Sequence, residues 1–354
     1  MRILSLFDGI ACWYEALVKA GIKIDAYYAS EIDKYAIQIA QKNHPDIIQL
    51  GDVQNIKRGG NLSNIDLLIW WSPCQWFSTA GKMLNFDDPR SKLFFEFVRI
   101  LKEVKPKYFL LENVKMKSEF RDKISELIGF QPIEIDSALL SAQRRKRYYR
   151  TNIPGITQPE DRGILLKDIL EKDPDSKYDL SEKGLKMLTR NFGSKGQCLN
   201  FTPSVLFKIT YPSVCEQQEG LDRKCPTLTA SMWTWWGNVP ALIQVVDGEL
   251  RIREATKKWY SVAEEGDGIS LSYPNSTTRR WRVTKGKANT LTCSWESYVY
   301  NTRIRKLTPV ECERLQTLPD NYTEGVSDTQ RYKALGNGWT VDVIAHIFSF
   351  IPKD

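Results

Sequence analysis

A cysteine stands between a proline and a glutamine in Ser72-Pro73-Cys74-Gln75-Trp76-Phe77-Ser78, just after the apolar run 65–69. That run reads as a short buried strand. The space past the carboxyl end of such a strand is where open α/β sheets bind ligands. A cysteine there can be an attacking thiolate, although an isolated cysteine is equally at home as a small buried hydrophobe. A carboxylate, Glu112, closes another apolar run, and the basic cluster Gln143-Arg144-Arg145-Lys146-Arg147 follows it. Three more acids, Asp8, Glu31 and Asp52, each sit just past a strand-like segment. Each alone reads as a helix N-cap. In register, they fit an adenosine ligand. A glycine turn after the first strand admits the ligand to the backbone, and the acid after the second bonds ribose hydroxyls. The third can accept from an adenine amino group. Phe7-Asp8-Gly9-Ile10-Ala11 is not Gly-x-Gly-x-x-Gly, so a dinucleotide fits less well.

The elements that must position these residues alternate. Residues 2–7, 26–30, 47–50, 65–69 and 108–111 read as strands, with helices at 14–20, 34–43, 91–102 and 117–128. Gly21 closes the first helix and Pro45 stops the second. Such alternation predicts an α/β fold with a doubly wound, mostly parallel sheet. From about residue 152, prolines, glycines and short strand-like runs replace it, so 153–302 reads as a separate, irregular, strand-rich domain, basic around Arg279-Arg280. After residue 303 helical signals return. Thr308-Pro309-Val310-Glu311 carries a cap and a first-turn proline, Gly336-Asn337-Gly338 reads as a sharp loop, and 341–351 as an amphipathic helix.

Composition narrows the function. The chain has 354 residues, 42% hydrophobic and 26% charged, as in soluble globular proteins. No apolar run approaches transmembrane length. Seven cysteines without a C-x-x-C pair point to free thiols in a reducing compartment. With only His44 and His346 present and no clustered thiols, neither a zinc site nor a histidine-based triad is expected. A net charge of +7 suits a polyanionic partner without requiring one.

Taken together, these stretches resemble the cytosine-5 DNA methyltransferases over roughly residues 1–152 and 303–354. Phe7-Asp8-Gly9 looks like the first cofactor motif, Glu31 with Asp33 the second, and Gly51-Asp52-Val53 the third. Pro73-Cys74-Gln75 is similar to the nucleophile loop, and Glu112-Asn113-Val114 matches the Glu-Asn-Val motif. Gln143 to Arg147 fits Gln-x-Arg-x-Arg, Arg305 to Cys312 the ninth motif, and Gly336-Asn337-Gly338 the tenth. The resemblance implies a Rossmann-like catalytic domain (1–152), a target recognition domain (153–302) and a C-terminal segment (303–354) completing the first. It implies S-adenosylmethionine as cofactor, held by Phe7, Asp8, Gly9, Glu31, Ile32, Asp52, Val53, Pro73, Leu93, Asn337 and Gly338. Cys74, Glu112 and Arg145 become the catalytic residues, Gln75, Ser78, Lys82 and Arg147 contact DNA, and no metal takes part. A monomer in the cytoplasm of a bacterial or phage-infected cell follows, acting on double-stranded DNA, either stand-alone or alongside a cognate restriction endonuclease. The alternatives are a tRNA cytosine-5 methyltransferase on the same scaffold and a catalytically impaired DNA-binding remnant.

The residue types suit that reaction. Cytosine C5 is a poor nucleophile. Addition of a thiolate to C6 makes C5 enamine-like, able to attack an electrophilic methyl group, and Cys74 supplies the thiolate. A carboxyl near N3 and N4 stabilises the ring, a role for Glu112 with a raised pKa. Arg145 would hold O2 and Arg147 a phosphate. The base must leave the helix to reach Cys74.

One feature departs from the family. Of 11 tryptophans, Trp70, Trp71, Trp76, Trp233, Trp235 and Trp236 stand where relatives carry glycine, and Trp13, Trp259 and Trp281 look similar. Arg150 sits where tryptophan is usual. Glycine allows positive φ and close ligand approach; an indole allows neither. Two explanations compete: an impaired protein, or a source that reads UGA as glycine where tryptophan is written. The single direction of change favours the second.

Overall fold

The computed structural model describes residues 1–57, 59, 62–71, 91–181, 242–246, 248–273, 276, 278–293, 297–301 and 303–352. In chain order, the first elements are β1 (Arg2–Leu6), α1 (Cys12–Lys19), β2 (Ala26–Ser30), α2 (Lys34–Asn43), β3 (Ile48–Gln49) and β4 (Leu67–Trp71). Next come α3 (Ser91–Val104), β5 (Tyr108–Val114), α4 (Ser118–Ile128), β6 (Ile133–Asp136) and β7 (Lys146–Thr151). Seven short strands follow: β8 (Ile243–Val246), β9 (Glu249–Arg253), β10 (Tyr260–Ala263), β11 (Gly268–Ser270), β12 (Val283–Thr284), β13 (Ser297–Asn301) and β14 (Arg303–Lys306). The chain then forms α5 (Pro309–Leu315), α6 (Asp328–Asn337) and α7 (Val341–Phe348). One compact unit comprises Met1–Ile164, Thr292–Ser294 and Cys312–Asp354; a second comprises Leu165–Leu291 and Trp295–Glu311.

The first unit is built on a seven-stranded sheet in the order β3-β2-β1-β4-β5-β7-β6. The five strands from β3 to β5 run parallel, and β7 lies antiparallel to both β5 and β6. This is the doubly wound, mostly parallel α/β architecture that the βα alternation predicts. The strand order reverses between β1 and β4, the switch point where such sheets open a crevice for ligands. Apolar residues from β1, β4, β5 and α3 fill one side of the sheet, among them Leu4, Leu68, Trp70, Phe97 and Leu111.

Local chemistry sets the element ends. Asp33 caps α2, accepting from the Tyr35 and Ala36 amides, and Gly129 closes α4 at φ 83°. Strand β4 runs two residues past the predicted 69, because the Trp70 ring is fully buried and stacked on Phe97 with centroids 4.7 Å apart. The hairpin β6–β7 is not legible in the charged stretch 144–147, yet Tyr148, Tyr149 and Arg150 are all buried in it. Gly336 and Asn337 form the last turn of α6 rather than the predicted loop, with only Gly338 beyond it. Helix propensity disfavours glycine there, but Gly336 has no room for a side chain. An added Cβ would lie 2.5 Å from the Thr292 carbonyl carbon.

In the second unit, β8, β9 and β10 form one antiparallel sheet, and β12, β11, β13 and β14 another. Leu180, Leu250, Ile252, Ile269 and Ile304 are among the residues of its core. The fully buried Arg282 holds three backbone carbonyls, donating to Ser270 and Ser272 at 3.2 and 2.8 Å and to Tyr273 at 2.9 Å. At the start of α5, Thr308 and Glu311 cap each other's backbone amides, at 2.8 and 3.1 Å. Glu311 also pairs with buried Arg305 through two bonds of 2.8 and 2.7 Å.

Candidate active site

The turn after β1 is tight. Phe7, Gly9 and Ala11 all have positive φ, at 57°, 63° and 60°, which turns the Gly9 amide toward the end of β2. There it donates to Glu31 Oε2 at 2.8 Å, while Glu31 Oε1 accepts from the amides of Ile32 and Asp33 at 2.7 and 2.8 Å. Three backbone donors thus fix this carboxylate, and Glu31 also lines a pocket with Phe7, Gly9, Asp33, Lys333 and Asn337. Lys333 pairs with Asp33 at 2.6 Å, joining α6 to the start of α2.

Asp8 sits under the same turn and is buried. Its Oδ1 accepts from the Tyr27 hydroxyl at 2.6 Å, and its Oδ2 has no hydrogen-bond partner. Burial pushes its carboxyl up to about 6, against the lowering effect of the Ser5 and Tyr27 hydroxyls. Asp8 and Gly338 both belong to the pocket wall. Among the described residues, Ile32, Asp52, Val53 and Leu93 do not. Asp52 instead caps the short turn Val53–Asn55 through the Gln54 amide at 2.9 Å. Val53 is buried in the core, Leu93 packs against that core, and Ile32 is exposed.

The second cluster lies two strands away, on β5 and β7. Glu112 is fully buried, paired in the ladder with Trp71 of β4 and Tyr149 of β7. Burial raises its carboxyl from the usual 4.5 to about 7, more than the nearby Arg147 and Arg145 charges lower it. The Arg147 Nε lies 2.9 Å from Glu112 Oε1, yet its N–H is not aimed along that line. Both carboxyl oxygens and the Arg147 Nε therefore lack a directed hydrogen bond. A buried carboxyl of this kind can hold a proton near neutrality, and neither of its oxygens is committed to a directed hydrogen bond.

Arg145 is also buried, and its guanidinium donates to the Gly338 carbonyl at 3.0 Å. It thereby ties the start of β7 to the end of α6. Pro73, Cys74, Gln75, Ser78 and Lys82 lie outside the described residues, as do Trp76, Trp233, Trp235 and Trp236. Strand β4 ends at Trp71, opposite Glu112, so the chain enters the Cys74 loop one strand away from that carboxyl, about 5 Å across the ladder.

Sequence reasoning gave Gln143 and Arg150 no role of their own and did not reach Lys333. Gln143 is fully buried with neither end of its amide bonded; its place in the Gln-x-Arg-x-Arg pattern was the available signal. Lys333 had no sequence signal, since only the fold brings α6 to α2. Arg150 is fully buried on the face opposite Glu112, donating to Asn113 Oδ1 at 3.0 Å and to the Arg121 carbonyl at 2.7 Å. Burial lowers its pKa to about 10. The Trp70 ring, at a position where relatives carry glycine, lies in the core, 6.4 Å from the Phe7 ring.

The chain matches the family described as C-5 cytosine-specific DNA methylase over residues 1–128 and 140–353. It is 28% identical to the orphan methyltransferase M.SPRI of Bacillus phage SPR, over 98% of this chain and 96% of that protein. It is 30% identical to the type II methyltransferase M1.ScrFI of Lactococcus lactis subsp. cremoris, over 91% and 70%. Among solved structures, the Entamoeba histolytica methyltransferase EhMeth superimposes with a TM-score of 0.58 at 16% identity, covering 99% of this chain and 97% of that one. The last comparison bears on fold alone, which is that of the methyltransferases. The chain belongs to the C-5 cytosine-specific DNA methylase family and is a DNA (cytosine-5-)-methyltransferase. Among the described residues, no helix is long and apolar enough to cross a membrane.

Proposed function

We propose that the protein transfers a methyl group from S-adenosylmethionine to C5 of a cytosine flipped out of double-stranded DNA, through a transient bond between Cys74 and C6. The observation that carries this reading is Glu112. It is a buried carboxyl titrating near neutrality, neither oxygen committed to a directed hydrogen bond, on the strand paired with the end of β4, after which the sequence runs on to Cys74. When bound, S-adenosylmethionine supplies an electrophilic methyl group.

The pocket's donor set suits such a ligand. Glu31 has lone pairs left for ribose hydroxyls after its three backbone bonds, the Phe7 ring offers a face for adenine, and buried Asp8 Oδ2 makes no directed hydrogen bond. Asn337 adds an amide to the same wall. At the reacting base, Cys74 would add to C6 while protonated Glu112 stabilises the ring at N3. Arg145 would orient the base at O2. Loss of the C5 proton to a base then lets the sulfur leave. Arg147, charged and beside Glu112, keeps that carboxyl from rising further and suits a backbone phosphate.

The family description, which names DNA, favours DNA over tRNA as the substrate. Residues 153–302 would then recognise the target sequence, and 303–354 would complete the catalytic domain. The type II and orphan names of the relatives leave both a cognate endonuclease and a solitary role open. A duplex carrying 5-fluorocytosine tests the reaction, because fluorine blocks the final elimination and the adduct persists. A denaturation-stable adduct is expected from the parent protein and not from Cys74→Ala. An adduct that survives Cys74→Ala would assign the bond to another thiol.

A further inference from the structure

The last turn of α6 forms one wall of the pocket beside Phe7 and Glu31, and it is held from behind. Asn337 is its final residue, and the Cys293 thiol donates to Asn337 Oδ1, with sulfur and oxygen 2.7 Å apart. The same segment touches the neighbouring residue. A side chain on Gly336 would bring Cβ within 2.5 Å of the Thr292 carbonyl carbon and 2.6 Å of the Cys293 nitrogen. Only a residue without a side chain lets the two backbones meet. Thr292–Ser294 belongs to the first unit although the chain on both sides belongs to the second. Two independent contacts therefore seat this short segment on the pocket helix.

The chemistry of the amide gives the contact a consequence. An asparagine side chain has one acceptor end and one donor end. With its oxygen engaged by the thiol, the NH2 is the end left for a ligand. Donation requires a protonated sulfur. The residue is exposed overall, but desolvation of the sulfur holds the thiol above the ordinary range, so it stays S–H at neutral pH.

We propose that Cys293 is a positioning residue of the methyl-donor pocket, its thiol fixing the Asn337 amide so that the NH2 is presented to the bound ligand. This rests on the pocket assignment made above. The test is calorimetric binding of S-adenosylhomocysteine to the full-length protein, with thermal unfolding measured in parallel. Cys293→Ala is expected to weaken binding about three- to tenfold, the loss of one neutral hydrogen bond, with the unfolding temperature retained. Cys293→Ser, which keeps a donor, should stay within about twofold of the parent on the same reasoning. In an Asn337→Ala background, Cys293→Ala should have no further effect, since coupled residues are not additive. Equal affinity for parent and Cys293→Ala overturns the proposal, and so does an equal loss in both backgrounds. A parent protein that does not bind S-adenosylhomocysteine overturns the pocket assignment itself, and this inference with it.

Discussion

Replacing Trp281 by glycine is expected to make the protein more stable, and replacing it by alanine is not. The Trp281 backbone has φ 60° while the indole is 73% exposed. Relaxation is blocked on both flanks. The Arg282 amide donates to Glu254 at 2.6 Å, its carbonyl accepts from Ser270 at 2.8 Å, and its guanidinium holds three further carbonyls. On the other side, the Arg279 carbonyl accepts from the Ala255 amide at 2.8 Å. A left-handed conformation costs an L-residue roughly 1–2 kcal/mol, and it persists only where the surroundings over-determine it. Glycine removes that cost and returns about 0.4–1 kcal/mol through its freer unfolded chain. The net gain is therefore up to about 1.5 kcal/mol, with little burial lost. Alanine keeps the strain. At an ordinary position alanine exceeds glycine in stability, so the order of the two variants is diagnostic. Scanning fluorimetry of parent, Trp281→Gly and Trp281→Ala measures it, a gain of 1 kcal/mol being worth on the order of 1–2 °C in a chain of this length. If the alanine variant melts as high as the glycine variant, the backbone at 281 does not call for glycine. Trp259, at φ 65° but half-buried, should show the same order of its glycine and alanine variants without the gain over the parent. Both results would match a source that decodes these codons as glycine, which mass spectrometry of the native protein would read directly. Trp13 and Trp70 differ, being fully buried with an indole N–H that finds no acceptor. Their rings fill space, so glycine in this packing would open a cavity costing roughly 3–5 kcal/mol.

Glu112 sets a pH dependence. With its carboxyl raised from 4.5 to about 7, the proton-bearing form is lost as pH rises through 7. Single-turnover methylation should fall above that pH, and Glu112→Gln should be slow with no such break. The same shift makes its ionisation unfavourable to folding from pH 4.5 upward, fully so above 7, so urea unfolding should show Glu112→Gln gaining on the parent across that window; a flat difference would mean the carboxyl is not raised. Glu31→Ala should weaken S-adenosylhomocysteine binding by ~1–3 kcal/mol, and calorimetry showing equal affinity would remove Glu31 from the pocket. Arg305→Met leaves Glu311 buried without its partner and should destabilise the protein by about 3–5 kcal/mol, read as a lower urea midpoint.

The sequence alone determined what local rules can determine. Apolar runs bounded by caps, glycines and prolines placed five parallel strands and the helices between them, because burial period and capping act within a few residues. The acids past the strands, the Pro-Cys and Glu-Asn pairs and the arginine cluster were visible as types at spacings. Tertiary structure decided which of these residues meet. Glu31 faces the pocket and Asp52 turns away to cap its own turn, although both follow strands in the same way. Gly336 has no room for a side chain, and Asn337 has a thiol partner, because Thr292 and Cys293 reach the last turn of α6 from a segment distant in sequence. The Glu112 carboxyl is raised to about 7 because the sheet on both sides removes water from it, and burial of that kind is a property of the assembled fold rather than of any stretch of chain.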